Sequence, residues 1–396
     1  MLLRGALLFT GEEFHSPGQV LVRDGVIVAA GPEELAPGPG ARVLDLEGRY
    51  LGPGFIDAHV HLCLDASPEP TEAISRPSLP ELTLLAAHHA AATLRAGVTA
   101  VRDLGGRADV TQALRGAVAA GRLAGPRIVS AGRVICMTGG HGWSLAGREA
   151  DGPDQVVKAA RAELKAGVDQ VKFMATGGVL TPGTTVGAAQ LTREELAAGI
   201  TAAHRAGKRT AAHAHGREGI LNAVRAGIDS VEHGTFLCQE AAELMARQGI
   251  PLVPTLAAGH QIRRLGVAGG LSAEAVLKSE AGEQAHRESL ALARALGVKV
   301  CLGTDAGTPG NRHGENLQEA VLLAAEGLPV LEVLRAATVH AALALGLGHT
   351  LGRLAPGYEA DLTALDGDPR EGVALLARSE AVSLVIQGGR VVLSRL

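Results

Sequence analysis

The chain has 396 residues, 46% of them hydrophobic and 20% charged, and a formal net charge of −4 at pH 7. This near-neutral balance gives no general attraction to nucleic acid or anionic lipid, and the hydrophobic content excludes wholesale disorder. The length is enough for an α/β barrel of about 250 residues together with a second, smaller domain.

The cysteines and the N-terminal segment indicate the cellular compartment. Cys63, Cys136, Cys238 and Cys301 are too far apart for a C-x-x-C motif, and we interpret them as free thiols in a reducing environment. The N-terminal segment lacks a small-residue cleavage site, and no uncharged apolar stretch reaches about 18 residues. We therefore expect a cytoplasmic protein with no membrane segment and no nucleic-acid partner.

Both ends of the chain consist of short strand-like runs. Residues 2–8 and 19–28 flank turns, and Asp24-Gly25 between apolar residues predicts a hairpin. Residues 361–365 and 382–386 are similar, with a predicted turn at Gly388-Gly389. Neither end has enough strands to close a core alone. We therefore predict that residues 1–51 and 350–396 together form a small β-sandwich domain.

Residues 52–349 alternate short apolar runs with helical patterns. Eight strand candidates lie at 55–60, 98–103, 127–131, 170–175, 210–213, 230–233, 251–254 and 300–304. Helices are predicted at 79–95, 153–166, 193–206, 218–226 and 273–295. Successive strand–helix units favour parallel strands closed into a (β/α)8 TIM-type barrel. A doubly wound open sheet is the alternative, which the absence of G-x-G-x-x-G after the first strand disfavours.

Four of the 15 histidines lie at or just beyond the ends of strand candidates: His59, His61, His213 and His233. In a barrel these ends converge on one mouth. His59 and His61 lie on the same side of an extended segment because side chains alternate, which suits two bonds to one metal ion. By itself, the H-x-H pattern is equally compatible with a polar turn.

Two further residues could complete a metal site. Asp305 follows the last strand candidate and offers a carboxylate, although an Asp there is often only a helix N-cap. Lys172 lies within an otherwise apolar strand, where desolvation lowers the pKa of an amine. Lys172 could be ion-paired inside the barrel, or its neutral amine could take up carbon dioxide as a carbamate that bridges two metal ions.

Together these residues resemble the amidohydrolase superfamily. The resemblance rests on G-P-G-F-I-D-A-H-V-H at 52–61, Lys172, His213, E-H-G at 232–234, G-T-D-A-G at 303–307 and the segment 351–362. Residues 138–142, 148–152 and 172–178 are similar to the metal-dependent dipeptidase and carboxypeptidase branch. That branch includes Xaa-Pro dipeptidase-like and imidazolonepropionase-like proteins and enzymes that cleave ochratoxin-type amides.

The resemblance implies two divalent metal ions, with Zn²⁺ the expected species. One ion would be held by His59, His61, Lys172 and Asp305, and the other by N6-carboxylated Lys172, His213 and His233. A bridging hydroxide would be the nucleophile, and Asp305 would pass its proton to the leaving amine. The implied reaction is cleavage of an amide or peptide bond in a small molecule, namely a dipeptide or N-acyl amino acid. Homo-oligomers are usual in the family, and we expect one here.

Four residues are candidates for binding the substrate. His141, in a Gly-rich loop after the third strand candidate, is predicted to be catalytic by donating to a substrate carbonyl or carboxylate; a solvent-exposed loop histidine is the alternative. His215 is predicted to contact the terminal carboxylate of the substrate. Arg102 and His313 are further carboxylate candidates, and for Arg102 a salt bridge to a neighbour is equally compatible.

Three alternatives remain within the same superfamily. A mononuclear deaminase would have Glu three residues after the histidine of the fifth strand, whereas this chain has Gly216 there and also has Lys172. A non-enzymatic scaffold would have lost metal ligands, whereas all six expected positions are filled. A cyclic-amide or imidazolone ring hydrolase shares the metal chemistry, and only substrate screening separates it.

Overall fold

The structure is a computed structural model that describes residues 1–396. Its strands, in chain order, are β1 (Leu2–Phe9), β2 (Phe14–Arg23), β3 (Val26–Gly31), β4 (Val43–Asp45), β5 (Tyr50–Pro53), β6 (Phe55–Val60), β7 (Val98–Asp103), β8 (Arg127–Ser130), β9 (Ile135–Cys136), β10 (Arg148–Glu149), β11 (Gln170–Met174), β12 (Arg209–Ala214), β13 (Val231–His233), β14 (Leu252–Val253), β15 (Leu362–Leu365), β16 (Val382–Gln387) and β17 (Arg390–Ser394).

The α-helices are, in chain order, α1 (Pro70–Ser75), α2 (Leu79–Arg95), α3 (Ala108–Ala119), α4 (Pro153–Lys165), α5 (Arg193–Arg205), α6 (Arg217–Ala226), α7 (Gln239–Gln248), α8 (Leu256–Leu265), α9 (Ala273–Ala295), α10 (Gln318–Ala325), α11 (Val330–Arg335) and α12 (Ala341–Leu345). None of them combines the length and the apolar character that crossing a membrane requires.

One sheet contains strands from both ends of the chain. Its order is β17-β16-β15-β5-β1-β2-β3, with β4 paired to β1. Antiparallel pairing of β15 with β5 joins the C-terminal strands to the N-terminal ones. Apolar side chains of both ends, including Leu8, Leu51, Leu362 and Leu384, pack in one buried cluster. The termini therefore share one sheet and one core, whereas the two-layered sandwich stays a prediction.

The two predicted hairpin turns are confirmed. Asp24 (φ 50°) and Gly25 (φ 82°) connect β2 to β3, and Gly388 (φ 54°) and Gly389 (φ 74°) connect β16 to β17. Two successive residues with positive φ are typical of a type I′ turn, whose twist matches that of the two strands of a tight hairpin. These turns set the register of the outer strands of the terminal sheet.

The middle of the chain forms two parallel sheets, β6-β7-β8 and β10-β9-β11-β12-β13-β14. The α/β class with parallel strands is therefore confirmed, and the closed eight-stranded barrel stays a prediction. Seven of the predicted strands appear as β6, β7, β8, β11, β12, β13 and β14, each within two residues of its predicted bounds. In parallel strands all carboxyl ends lie on the same side, so the residues that follow them can meet.

The strand predicted at residues 300–304 was wrong as a regular strand. Val300 forms a single bridge to Leu252 of β14, and the amide of Ala58 in β6 donates to the carbonyl of Leu302. The amide of Leu302 donates to the carbonyl of Ala336 instead of to a strand, which interrupts the ladder. The segment lies between β14 and β6 and bonds to both of the parallel sheets.

Helices between the strands have the expected start and stop signals. The predicted helical segments match α2, α4, α5, α6 and α9 to within one residue. Reciprocal side-chain capping by Ser78 and Glu81 begins α2, and Gly227 at φ 88° ends α6. These stops let the chain turn back into the next strand after each helix.

Candidate metal centre

The carboxyl ends of the parallel strands surround one cavity. All six predicted metal ligands line it: His59, His61, Lys172, His213, His233 and Asp305. The predicted substrate contacts His141 and His215 line it too, whereas Arg102 and His313 do not. Residues separated by more than 200 positions in the chain are thus brought to one place because their strands are neighbours.

Asp305 faces two imidazoles. Its Oδ1 lies 3.3 Å from Nε2 of His59 and 3.0 Å from Nε2 of His61. This oxygen is buried and accepts no well-oriented hydrogen bond. Ligand atoms about 2.0 Å from a tetrahedral ion lie roughly 3.3 Å from one another, which fits this spacing. The donors therefore fit a divalent metal ion with nitrogen and oxygen ligands.

A second group of imidazoles lies beside the first. The ring of His213 is 4.5 Å from that of His233 and 4.6 Å from that of His215. Their nitrogens lie within 4.8 Å of one another, and His233 also belongs to the group with His59 and Asp305. The two groups of donors thus share His233, and one of them includes His215, which was predicted to contact the substrate.

Burial keeps His59, His213, His215 and His233 uncharged, whereas at His61 the hydrogen bond and charge of Asp305 outweigh burial and raise the pKa. Burial lowers the pKa of His59 to about 4, with a smaller contribution from the charge of Lys172. Burial likewise lowers the pKa of His215 to about 3 and holds those of His213 and His233 well below the usual value. A neutral imidazole is the form that binds a metal ion.

The far side of each ring is held by a fixed acceptor. Nδ1 of His59 is 3.0 Å from Oε2 of Glu232, and Nδ1 of His61 is 2.7 Å from the carbonyl oxygen of Gly105. Nε2 of His213 is 3.1 Å from the carbonyl oxygen of Gly177. Because these oxygens accept, the bonded nitrogens carry the hydrogen and the opposite nitrogens face the cavity as lone-pair donors.

Threonine hydroxyls orient the other two rings. Nδ1 of His233 is 2.7 Å from Oγ1 of Thr255, whose own hydroxyl donates to the carbonyl of Pro254. Nδ1 of His215 is 2.7 Å from Oγ1 of Thr235. Such outer partners set the tautomer and direction of a ligating histidine.

Lys172 is surrounded by these groups. Its side chain lies on β11 and is 1% exposed, and burial lowers its pKa to about 8, against the attraction of Glu232 and Asp305. Those two carboxylates are paired with other groups, Glu232 with Arg102 and Asp305 with His61. A desolvated amine without a carboxylate partner has a raised fraction in its neutral, nucleophilic form.

His141 lies in the loop after β9, with its ring 4.3 Å from that of His213. Its Nδ1 is 2.8 Å from Oγ1 of Thr181, and burial lowers its pKa to about 4. A side chain at Gly178 would meet this ring at 2.3 Å, so glycine is required for the close approach. His141 is 7% exposed, which excludes the solvent-exposed alternative.

The prediction that Arg102 contacts the substrate was wrong. Its guanidinium is 1% exposed and donates to the carbonyl of Ala58 at 2.6 Å, to Ser230 at 2.9 Å and to Oε1 of Glu232 at 2.8 Å. The side chain points into the interior, where it neutralises the carboxylate that orients His59. The competing salt-bridge interpretation is therefore the correct one.

The prediction for His313 was also wrong. Its ring stacks on that of His89 at 4.4 Å, and its Nε2 lies 3.2 Å from the carbonyl of His61 and 3.1 Å from that of Leu64. These contacts place it beneath the segment that follows β6, outside the cavity. There it supports the backbone of His61 and does not line the cavity.

Comparison with known proteins decides the family. The model of the amidohydrolase family matches residues 50–392. The chain belongs to the amidohydrolase family. The resemblance inferred from the motifs is therefore confirmed.

Three relatives show the range of this amidohydrolase's neighbours. It is 33% identical over 323 residues to an ochratoxinase of Aspergillus niger, a match that covers 75% of this chain but 66% of that protein, less than two thirds of its length. A crystal structure of a Xaa-Pro dipeptidase with methionine bound in the active site has a TM-score of 0.91 and 32% identity, covering 98% of each chain. An imidazolonepropionase of Sphingopyxis alaskensis is 29% identical over 377 residues, 89% of this chain and 88% of that protein.

Sequence reasoning missed Asp57, which supports the amidohydrolase's ligand segments. Its buried carboxylate accepts hydrogen bonds from the amide of His59, from the amide and hydroxyl of Thr304, and from the side-chain amide of Asn316. It thereby ties the strand that carries the H-x-H pair to the segment before Asp305. The only sequence signal was its place within the motif at 52–61.

Residues of α8 and α9 were also missed. Arg263, Lys278, Glu283 and His286 line the cavity, although none follows a strand. His286 lies mid-helix in a position where surface or core packing is the ordinary expectation, yet its Nε2 is 3.0 Å from the carbonyl of His233. Helical periodicity alone does not show which face of α9 covers the mouth.

The interior position of Arg102 leads to a stability prediction. Replacing Arg102 by Met leaves the buried carboxylate of Glu232 without its cation, which should lower the free energy of unfolding by about 3–5 kcal/mol. The matched control is Arg76→Met, which removes an exposed pair with Glu72 and should cost at most about 1 kcal/mol. Urea unfolding of the metal-free proteins measures both; equal costs would contradict the interior role.

The contact between Gly178 and His141 leads to a second prediction. Gly178→Ala should displace the imidazole and lower kcat by about 100-fold with little change in melting temperature. Gly187→Ala is the control from the same loop, because its new Cβ would meet its nearest neighbour at an ordinary 3.8 Å. Steady-state kinetics of both variants test this, and similar kcat values would refute the positioning of His141.

Proposed function

We propose that this amidohydrolase is a binuclear metal enzyme that cleaves the amide or peptide bond of dipeptides or N-acyl amino acids. The observation that carries the proposal is the buried Oδ1 of Asp305, which has no hydrogen bond and lies within 3.3 Å of two imidazole nitrogens. Beside it lies a buried, uncompensated lysine amine. Buried polar groups without partners destabilise a folded core, and bound metal ions would give these groups the partners they lack.

The ligand assignment is the one that the family resemblance implies, and the gathering of its six residues around one cavity supports it. His59, His61, Asp305 and carboxylated Lys172 would hold one ion, and His213, His233 and the same carbamate the other. The carbamate forms when the neutral amine of Lys172 bonds to the carbon of carbon dioxide and releases one proton. The resulting negative charge replaces an unfavourable buried ammonium, which supports this interpretation over an ion-paired lysine.

The chain's own residues provide the remaining chemistry. Divalent ions bound here would supply Lewis acidity for activating water and polarising the amide carbonyl, and Zn²⁺ suits nitrogen and oxygen donors. Asp305 lies where it can take a proton from attacking water and return it to the departing amine. His141, whose ring lies beside that of His213, donates a hydrogen bond to the substrate carbonyl or carboxylate, and His215 contacts the substrate's terminal carboxylate.

The substrate class rests on the relatives together with the site. The likeness to a Xaa-Pro dipeptidase and an ochratoxinase supports a dipeptide or an N-acyl amino acid, with an ochratoxin-type amide included. The likeness to an imidazolonepropionase favours one alternative, hydrolysis of a cyclic amide. The mononuclear deaminase is less well supported, because Gly216 and Lys172 depart from that pattern.

We also propose a division of the chain in which residues 52–349 form a closed (β/α)8 barrel and residues 1–51 with 350–396 form the β-domain. The bonds of residues 300–306 to both β14 and β6 support closure of the barrel. The homo-oligomeric state and the cytoplasmic location stay predictions.

The proposal is tested by screening dipeptides, N-acyl amino acids and cyclic amides with protein prepared in the presence of Zn²⁺ and bicarbonate. We expect cleavage of linear amides and two equivalents of metal by elemental analysis. One equivalent together with deamination would favour the deaminase, and ring opening alone would favour the cyclic-amide hydrolase. Absence of bound metal would refute the metal-dependent function.

Asp305→Asn tests the proton-transfer role. The amide keeps an oxygen that can bind metal but cannot carry the proton, so metal content should be retained while kcat falls by at least about 100-fold. Elemental analysis and kinetics are measured on the same preparation. Undiminished turnover would end this assignment, and His349→Asn, at a residue outside the cavity, is the control for substitution itself.

A further inference from the structure

The wall of the cavity contains two cationic side chains besides Lys172. Arg263 lies on α8 and Lys278 on α9, and both line the cavity. Because Arg102 and His313 do not line the cavity, these two residues are the cationic side chains, apart from Lys172, that a negatively charged group of the substrate can meet there. The question is therefore which of them is available to an anion.

Lys278 lies where the metal cavity meets an outer pocket. It lines both spaces, together with Val186 and Gly282. Its Nζ is 2.6 Å from Oε1 of Glu274 and donates to the carbonyl of Thr181 at 3.1 Å. An ammonium has three donors, and these contacts use two of them. The third is free for a further acceptor.

The counter-ion of Lys278 does not enter the metal cavity. Glu274 lines only the outer pocket, and its side chain is 47% exposed, so water screens its charge. The side chain of Lys278 is 15% exposed, with its stem packed in the wall. The carboxylate paired with Lys278 is therefore half-exposed and lines the outer pocket, not the metal cavity.

Arg263 differs in this respect. Its Nε is 3.3 Å from Oε2 of Glu283, and its Nη1 donates to Ser279 at 3.2 Å. Glu283 itself lines the metal cavity, so an anion near Arg263 would also approach a carboxylate. Lys278 is therefore the more favourable of the two positions for binding an anion from within the metal cavity.

We infer that Lys278 supplies the positive charge for the free carboxylate that His215 also contacts, which makes this enzyme specific for amides whose leaving residue ends in that carboxylate. The inference rests on the proposed function and assigns a specificity-determining role to a residue of α9. It is chemically distinct from the metal ligands, since a lysine ammonium attracts a carboxylate but leaves a carboxamide or ester without a charge partner.

The position of Lys278 relative to His141 suits such a substrate. Lys278 bonds to the carbonyl of Thr181, and the hydroxyl of the same threonine lies 2.8 Å from Nδ1 of His141. The positive charge of Lys278 also contributes to lowering the pKa of His141. Thr181 therefore bonds both to His141, which is proposed to contact the reacting carbonyl, and to Lys278, which would hold the carboxylate.

The test compares a free acid with its carboxamide. Leu-Pro and Leu-prolinamide, or the equivalent pair built on the best dipeptide of the screen, are assayed with the zinc-loaded enzyme. We expect wild-type kcat/KM to be at least about tenfold higher for the acid. Lys278→Met should raise KM for the acid by about tenfold or more, leave KM for the carboxamide unchanged, and change kcat little. Lys278→Arg should restore most of the preference.

The outcomes separate recognition from a structural tether. If Lys278 only holds the loop through Thr181, Lys278→Met impairs acid and carboxamide equally, which overturns the inference. Equal wild-type constants for acid and carboxamide also overturn it, even if the variant does not fold, while leaving the proposed function intact. Cleavage of no linear amide refutes the proposed function and this inference with it. Lys165→Met, an exposed residue at the end of α4, is the control and should change neither constant.

Discussion

The candidate metal centre depends on the burial of ionisable side chains away from water. Lys172 and the imidazoles of His59, His213, His215 and His233 are almost completely buried, so their charged forms are disfavoured and they remain as lone-pair donors. The same burial leaves the Oδ1 of Asp305 without a well-oriented hydrogen bond. A core of this kind is unfavourable unless something satisfies the donors. Divalent cations would satisfy all of them together.

The second requirement is orientation, and it is met by groups outside the cavity. Each imidazole is held from behind by a carboxylate, a carbonyl or a hydroxyl, and these acceptors lie on different strands and loops. The buried pair of Arg102 and Glu232 is the most demanding of these supports, because neither charge can be removed alone without leaving the other uncompensated. Part of the interior therefore serves the geometry of the site.

The part of the cavity wall away from the strand ends is built from other elements. It is formed by α8 and α9 and by the loop that contains Thr181, and it supplies apolar surface with a few charged groups instead of metal donors. In the proposed function, the residues at the strand ends provide the reaction chemistry, and the helices that cover them provide the selectivity. Such a division is expected for a scaffold on which one chemistry is combined with many substrates.

The sequence by itself determined the parallel α/β class, both hairpins, most strands and helices, and the metal-type side chains, because these depend on local periodicity, turn chemistry and residue type at strand ends. It did not determine the directions of Arg102 and His313, since a side chain beside a strand end can point to the cavity or to the interior, and only the carboxylate of Glu232 or the ring of His89 decides between them. The irregular segment at 300–304 and the contribution of α9 were likewise decided by tertiary structure. Both depend on hydrogen bonds and packing between residues distant in the chain, which no local pattern encodes.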